Sequence, residues 1–147
     1  MTTSTSAALS KVLYTAVATA TSGREGRAKS DDGKLDVAVA PPPELGGSGA
    51  GTNPEQLFAA GYAACFGSAV QHIARQQKLT TGNIAVTTRV SLGPIEGSIG
   101  FGLKVELSAA MPELSREEGL GLLRAAHEVC PYSNAIRGNI QVELSLE

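Results

Sequence analysis

Residues 53–70 read NPEQLFAAGYAACFGSAV, and this stretch decides the fold that the sequence predicts. Asn53 suits the N-cap of a helix, Pro54 suits its first position, and Glu55 suits the positive end of the helix dipole. The helix is predicted to run to about residue 78 and is apolar nearly all round until Gln71. A helix that is apolar on every face is buried on every face, so we expect the long central helix of a core.

Two details refine this prediction. The apolar run of residues 57–70 is shorter than the ~18–20 residues of a membrane span, so we expect a buried helix of a soluble protein. Gly61 and Gly67 each lower helix propensity by about 1 kcal/mol relative to Ala. Their presence indicates the close approach of another backbone, which a second subunit would supply.

The rest of the chain alternates in the way that strands do. The first ten residues are predicted to be a flexible tail, residues 23–33 a charged hairpin connection, and residues 41–54 a long Pro/Gly loop. A second helix begins at the capping box of Ser115 and Glu118 and ends at Cys130, before Pro131. Apolar alternation predicts strands at residues 11–20, 34–40, 83–92, 99–107 and 139–146. This order predicts an α+β fold, with an antiparallel sheet packed around the central helix and one domain spanning residues 11–147.

Composition limits the function classes. The chain has 147 residues, and its 18% charged residues fall below the roughly 25% of an average soluble domain, which indicates surface hidden in an oligomer. A net charge of −2 without any Lys/Arg cluster argues against a nucleic-acid partner. The first ten residues lack the pattern of a signal peptide, and no membrane partner is indicated. We therefore expect a cytoplasmic protein.

The two cysteines allow two interpretations. In a reducing compartment Cys65 and Cys130 are not expected to form a static disulfide, and each could simply be a small buried core residue. Two cysteines on separate helices could equally be a catalytic pair, in which one attacks a substrate and the other resolves the product. Composition alone leaves both interpretations open.

Charged residues raise further candidates. Glu55 could only stabilise its helix dipole, and ten residues of straight helix place it ~15 Å along the axis from Cys65. If these two share a site, the helix must bend or Glu55 must reach the Cys65 of another subunit. The cations at positions 24, 27 and 29 cannot be ranked from sequence. Zinc is not expected, because neither a C-x-x-C nor an H-x-x-x-H spacing is present. The Gly-rich loop before Asn53 lacks the Gly-Lys-Ser/Thr of a phosphate-binding loop.

Four segments together resemble one family. Residues 11–27 read KVLYTAVATATSGREGR, residues 46–66 GGSGAGTNPEQLFAAGYAACF, residues 91–107 SLGPIEGSIGFGLKVEL, and residues 125–140 AAHEVCPYSNAIRGNI. They resemble the organic hydroperoxide resistance (Ohr) proteins of the OsmC superfamily, and the resemblance covers almost the whole chain from residue 11. It implies an OsmC-like fold, an intertwined homodimer, and a thiol peroxidase that reduces organic and fatty-acid hydroperoxides to alcohols.

The resemblance also implies roles for single residues. Cys65 matches the peroxidatic cysteine and Cys130 the resolving cysteine, with a disulfide between them as intermediate. Arg24 matches the catalytic arginine, and Glu55 matches the glutamate that holds it. A cation is needed because burial raises the pKa of a cysteine above its ordinary value of ~8.5, whereas only the thiolate attacks.

The remaining expectations concern substrate, reductant and rivals. The apolar surroundings of Cys65, which include Phe58, Tyr62 and Phe66, suit a hydrocarbon tail. The family implies no bound cofactor and no metal, with a dihydrolipoyl group on a partner protein as external reductant. The alternatives are an OsmC-type peroxidase of broader substrate range, a cysteine redox-sensing binding module, and a metal-binding module.

Overall fold

The computed structural model describes residues 8–147, which form two compact units divided after Asn53. Most of the predicted tail lies outside the described residues, and residues 8–10 have no regular secondary structure. The prediction of one domain over residues 11–147 stays a prediction.

The first unit contains a three-stranded antiparallel sheet. Its strands are β1 (Ala18–Thr21), β2 (Gly26–Ser30) and β3 (Asp36–Val39), in the order β1-β2-β3. A short 3-10 helix, Pro43–Leu45, follows. Of the strand predicted at residues 11–20, only the last three residues lie in a strand, β1. The connection predicted at residues 23–33 contains a strand that was not predicted, β2. The sequence of β2, GRAKS, offers little apolar alternation, and this strand is instead held by pairing on both of its edges.

The second unit contains the long helix and a second sheet. Its elements are α1 (Pro54–Gln76), β4 (Ala85–Pro94), β5 (Phe101–Ala110), α2 (Arg116–Val129), α3 (Pro131–Ile136) and β6 (Val142–Leu146). The sheet order is β4-β5-β6. The α+β class and the long helix are confirmed.

One strand pairing differs from the predicted antiparallel sheet. β4 pairs antiparallel with β5, but β6 pairs parallel with β5. Parallel neighbours need a crossover connection, and α2 and α3 supply it. The sequence showed only one helix there, because the short α3 follows directly after the predicted end of α2.

The core of the second unit lies between α1, α2 and the sheet. The fully buried side chains with the largest volumes are Tyr62, Phe66, Val70, Val105, Leu122, Leu123, Cys130 and Ser133. The capping box predicted at Ser115 and Glu118 is confirmed, with both reciprocal hydrogen bonds present. It fixes the start of α2 and hence the register in which α2 reaches Cys130.

The helix α1 is not buried on every face within this chain. Its buried residues form one stripe, whereas Ala60, Ala64 and Ser68 on another stripe are exposed. By length and composition alone, this 23-residue helix could cross a membrane. The length of the apolar run at residues 57–70 therefore does not exclude a membrane span. A core helix of a water-soluble protein meets the same criterion, and one side of α1 packs against α2 and β4.

The two glycines of α1 meet side chains in this chain, not the backbone that the sequence predicted. A Cβ atom at Gly61 would lie 2.6 Å from Tyr132 Oη, which is too close. At Gly67 the nearest atom would be Val86 Cγ2 at 3.6 Å, an ordinary contact. Of the two glycines, only Gly61 has a neighbour, Tyr132, that an added Cβ atom would force to move.

Candidate functional site

Cys65 lies in the middle of α1, where the helix is partly buried. It stands three residues after Tyr62 and immediately before Phe66, both of which are fully buried. The helical period therefore places Cys65 at the edge of the buried stripe. A thiol at this edge is supported from behind by the core and keeps some exposed surface.

Cys130 forms the junction between α2 and α3. Its backbone N–H donates to Ala126 O at 2.8 Å and closes α2, while its carbonyl accepts from Asn134 N at 2.9 Å and opens α3. Pro131 occupies the first turn of α3, where its missing N–H costs nothing. The side chain of Cys130 is fully buried. Both ends of this residue are thus fixed by helices.

The structure brings the two cysteines together. Cys130 Sγ lies 3.8 Å from Cys65 Sγ and is oriented to donate a hydrogen bond to it. Both thiols are free. A disulfide has an S–S distance of about 2.05 Å, so the two sulfurs would need to approach each other by nearly 2 Å to bond. The two cysteines that were predicted as a catalytic pair are therefore in direct contact.

The environment of Cys65 favours the thiol over the thiolate. Burial raises the pKa of Cys65, and the neighbouring Cys130 adds to this increase. The backbone N–H of Tyr132 donates to the sulfur and acts in the opposite direction. Because burial is the largest cause, the net pKa is above the ordinary value of a cysteine. The groups that act on this thiol in the second unit therefore do not by themselves make it a nucleophile at neutral pH.

Aromatic rings surround the thiol pair. Tyr62 stacks on Tyr132, with ring centroids 5.6 Å apart, and makes edge contacts with Phe58 and Phe66. Tyr62 and Phe66 are fully buried and have no exposed surface to offer a ligand. Phe58 is partly buried and Tyr132 is 37% exposed. Among these rings, Phe58 and Tyr132 are the ones with exposed surface.

A buried polar cluster lies behind the rings. The hydroxyl of Ser133 is hydrogen-bonded to Tyr62 Oη at 2.7 Å and to His127 Nδ1 at 2.8 Å. Burial raises the pKa of Tyr62 and lowers the pKa of His127, which the charge of Arg137 lowers further. Arg137 Nη2 donates to the backbone carbonyl of His127 at 2.5 Å and its Nη1 to Asn134 Oδ1. The hydrogen bonds of this cluster connect α3 to α1 and to α2.

Arg24 belongs to the first unit and lies in the turn between β1 and β2. The turn is tight, because Ser22 and Gly23 both have positive φ (60° and 57°) and Glu25 N donates to Ser22 O. A Cβ atom at position 26 would lie 1.9 Å from Thr21 O, so only Gly26 fits there. Neighbouring Arg27 lies on β2 and forms an ion pair with Asp36 at 2.5 Å. The predicted contact between Arg24 and Cys65 stays a prediction.

Glu55 lies in the first turn of α1, as predicted. The helix continues without interruption from Pro54 to Gln76, so ten residues of regular helix separate Glu55 from Cys65, about 15 Å along the axis. This continuity removes the alternative in which a bend brings the two together. If the two residues share a site, the other alternative of the sequence analysis applies, in which Glu55 reaches the Cys65 of another subunit.

Sequence reasoning missed four residues of the site: Tyr132, Ser133, His127 and Arg137. The first two lie in the segment VCPYSNA, where Pro131 was a signal for the start of a helix as well as for the end of one. His127 lies three residues before Cys130, and its Nδ1 is hydrogen-bonded to Ser133. Within residues 8–147, no group of three or more His, Cys, Asp or Glu side chains is placed to hold a metal ion.

The sequence and the fold of this chain are similar to those of a known family of proteins. Residues 46–145 match the family model described as OsmC-like protein, and the chain belongs to this family. Within the family it is similar to an organic hydroperoxide resistance protein of Xanthomonas axonopodis pv. citri, with 56% identity over 92% of this chain and 96% of that protein. It is also 47% identical to the organic hydroperoxide resistance protein OhrB of Bacillus subtilis, over 92% of this chain and 98% of the relative.

Solved structures agree with this relationship. An organic hydroperoxide resistance protein OsmC from Legionella pneumophila has a TM-score of 0.89 at 51% identity, covering 93% of this chain and 99% of that one. The crystal structure of Bacillus subtilis OhrB has a TM-score of 0.84 at 46% identity, covering 92% and 100%. The resemblance predicted from the sequence is confirmed, and so is the OsmC-like fold.

Proposed function

We propose that this protein is a cysteine-based peroxidase that reduces organic and fatty-acid hydroperoxides to alcohols. The observation that supports it best is the pair of free thiols with sulfurs 3.8 Å apart, one partly exposed and the other fully buried. The exposed thiol of Cys65 is accessible to an oxidant. The buried thiol of Cys130 is accessible to Cys65. The names of the relatives point to the same class of substrate.

In the first step, the Cys65 thiolate attacks the terminal oxygen of the hydroperoxide. A sulfur–oxygen bond forms and the oxygen–oxygen bond breaks, so that Cys65 becomes a sulfenic acid and the peroxide leaves as an alkoxide. The alkoxide takes up a proton to become the alcohol. In the second step, Cys130 forms a disulfide with Cys65, and the sulfenic oxygen leaves as water with the proton that Cys130 releases.

The first step needs a cation, because burial raises the pKa of Cys65. Arg24 is proposed to supply it, since a guanidinium keeps its proton at all relevant pH values and would also stabilise the alkoxide that leaves. Glu55 is proposed to orient Arg24 through a bidentate ion pair. Arg27, three residues further along, lies on β2 and pairs with Asp36 of β3.

The substrate is proposed to lie against the aromatic rings beside Cys65. Phe58 and Tyr132 have exposed surface for a hydrocarbon tail. Tyr62 and Phe66 would shape this surface from behind rather than contact the substrate. An apolar surface of this kind favours a bulky hydroperoxide over hydrogen peroxide, because burying hydrocarbon stabilises the complex by about 25 cal/mol per Å².

A homodimer is proposed as the working form. The extended segment before β1 exposes large apolar side chains, with Leu13 at 84% and Tyr14 at 81% exposure. Exposed apolar patches of this kind mark interaction surfaces. The exposed stripe of Ala60, Ala64 and Ser68 on α1 would allow a second backbone to approach closely. A dimer would also place Glu55 of one protomer near the Cys65 of the other.

The proposed reductant is an external dithiol, a dihydrolipoyl group on a partner protein, and no bound cofactor takes part. Its two thiols would reduce the Cys65–Cys130 disulfide by two thiol–disulfide exchanges and become a lipoyl disulfide themselves. The proposed location is the cytoplasm, where lipoylated enzymes and a reducing thiol pool are available.

The test is a thiol count on the reduced protein, mixed anaerobically with one equivalent of cumene hydroperoxide. We expect both thiols to be lost within seconds and the intact mass to fall by two units. Cys130→Ser should instead accumulate a sulfenic acid and proceed to sulfinic acid with excess oxidant, whereas Cys65→Ser should not react. Survival of both thiols in the unmodified protein would refute the peroxidase.

The rival functions give different results in related assays. An OsmC-type peroxidase of broader range would show similar specificity constants for hydrogen peroxide and cumene hydroperoxide. A redox-sensing module would be oxidised once and slowly, without turnover when dihydrolipoamide is supplied. The contact of the two sulfurs favours the peroxidase, because it allows a disulfide to close before the sulfenic acid is oxidised further.

A further inference from the structure

Ser133 is a buried polar junction between three helices. Its hydroxyl is hydrogen-bonded to Tyr62 Oη on α1 at 2.7 Å and to His127 Nδ1 on α2 at 2.8 Å, while Ser133 itself lies on α3. Ser133 and Tyr62 are both fully buried. The two reactive sulfurs come from these same helices, Cys65 from α1 and Cys130 from the point where α2 meets α3.

The hydrogen bonds of this junction are mutually consistent. Burial and Arg137 lower the pKa of His127, which favours the neutral imidazole. In the tautomer with the proton on Nε2, Nδ1 accepts from the Ser133 hydroxyl, and the Ser133 oxygen accepts from Tyr62. Each hydroxyl proton then has an acceptor, and satisfied polar networks of this kind rigidify the packing around them.

We propose that Tyr62, Ser133 and His127 are positioning residues for disulfide closure, which hold the first turn of α3 so that Cys130 stays against Cys65. This inference rests on the proposed peroxidase function and adds to it a role for three residues that do not react. Ser133 lies one helical turn after Cys130, so its hydrogen bonds hold the first turn of α3, which begins at Cys130. The same turn bears the Tyr132 N–H that donates to the Cys65 sulfur.

The reason for an anchor lies in the distance that remains to be closed. The sulfurs are 3.8 Å apart and must reach about 2.05 Å. In that step the Cys130 sulfur forms a bond to the Cys65 sulfur, the sulfur–oxygen bond of the sulfenic acid breaks, and water leaves. A loosely held α3 would lower the effective concentration of the Cys130 thiol at Cys65 and leave the sulfenic acid exposed to further oxidation.

The experiment measures two quantities in Ser133→Ala and in Tyr62→Phe, which keeps the ring and removes only its hydroxyl. The first quantity is the equilibrium of the Cys65–Cys130 disulfide with dithiothreitol, which reports effective concentration without any peroxide. The second is the rate of disulfide closure after one equivalent of cumene hydroperoxide. We expect Tyr62→Phe, which loses one buried hydrogen bond, to lower both roughly tenfold, and Ser133→Ala, which loses two, to lower both at least as much.

Three controls separate positioning from general destabilisation. Ser108→Ala removes a hydroxyl that is bonded to Glu147 on the sheet and should change neither quantity. His127→Asn retains an amide group near the position of Nδ1 and should preserve most of both. The pH profile of Cys65 alkylation should move to higher pH in Ser133→Ala, because the Tyr132 N–H would be less well aimed at the sulfur.

The outcomes distinguish this inference from the function on which it rests. If Ser133→Ala and Tyr62→Phe fold and keep the unmodified equilibrium, closure rate and pH profile, the positioning role is wrong while the peroxidase stands. If the unmodified protein consumes no hydroperoxide but Tyr62→Phe still weakens the disulfide, the positioning role stands and the peroxidase fails. If Ser133→Ala fails to fold, the result for Tyr62→Phe alone tests the positioning role.

Discussion

The two glycines of α1 allow a matched test of how this helix packs. Gly61→Ala and Gly67→Ala are the same substitution, six residues apart in one helix, and each should gain about 1 kcal/mol of helix propensity. Their surroundings differ. A methyl group at position 67 would meet Val86 Cγ2 at 3.6 Å, whereas at position 61 it would meet Tyr132 Oη at 2.6 Å and Cζ at 3.2 Å.

The magnitudes follow from these contacts. Gly67→Ala should keep the whole gain and stabilise the protein by about 1 kcal/mol, which raises Tm by roughly 3 °C for a chain of this size. Gly61→Ala must displace the Tyr132 ring from its stack on Tyr62, which costs about 0.5–1.5 kcal/mol. Its net effect should therefore be close to zero. The double variant Gly61→Ala/Tyr132→Phe removes the closest atom and should recover part of the difference.

The assay is urea unfolding of each variant at one fixed protein concentration, because association of the folded chains would make the result depend on concentration. A stabilising effect of Gly61→Ala equal to that of Gly67→Ala would show that Tyr132 does not limit this position. A destabilising effect of Gly67→Ala would show that more than Val86 packs against Gly67, as a second subunit would, and would refute the reasoning from contacts within one chain.

Three further predictions concern other parts of the molecule. Ser115→Ala should destabilise the protein by about 1 kcal/mol in urea unfolding, because it removes the capping box of α2; an unchanged midpoint would contradict it. The pKa of His127 is lowered in the folded state, so the unfolded chain binds this proton first as pH falls through ~6.5. The free energy of unfolding should therefore decrease below that pH and be fully retained above it, and His127→Asn should remove this part of the pH dependence. Arg24→Lys should lower kcat/KM for cumene hydroperoxide by about a hundredfold, whereas Arg27→Lys should lower it little, and equal effects of the two would contradict the role of Arg24.

Features set by neighbours in sequence could be predicted. The start of α1 at Pro54, the capping box at Ser115 and the end of α2 before Pro131 are each decided within one helical turn. The strands β4 and β5 were found because their alternation reflects burial on one face. The second prediction began at Ile99, two residues before β5, and both Ile99 and Phe101 are exposed rather than buried.

Features that depend on residues distant in the sequence could not be predicted. The strand β2 forms because it pairs with β1 and β3, and the parallel pairing of β6 depends on the crossover through α3. At the site, the sequence offered Cys65 and Cys130 only as one of two interpretations, because residues 65 positions apart carry no local signal of contact. The bond between Tyr62 and Ser133, 71 positions apart, had no signal at all.

The contact between the two sulfurs also has a stereochemical consequence. In displacement at a sulfur atom, the incoming thiolate and the departing oxygen lie on opposite sides in one line. Cys130 lies on the side of Cys65 that faces α3, so in the proposed reaction the oxygen must depart on the side turned away from α3. If Cys65 keeps its side-chain rotamer, the hydroperoxide that delivers this oxygen arrives along the same line. In the proposed reaction, oxidant and resolving thiol would then use opposite faces of a single atom, and Cys130 would remain fully buried without blocking the path of the substrate.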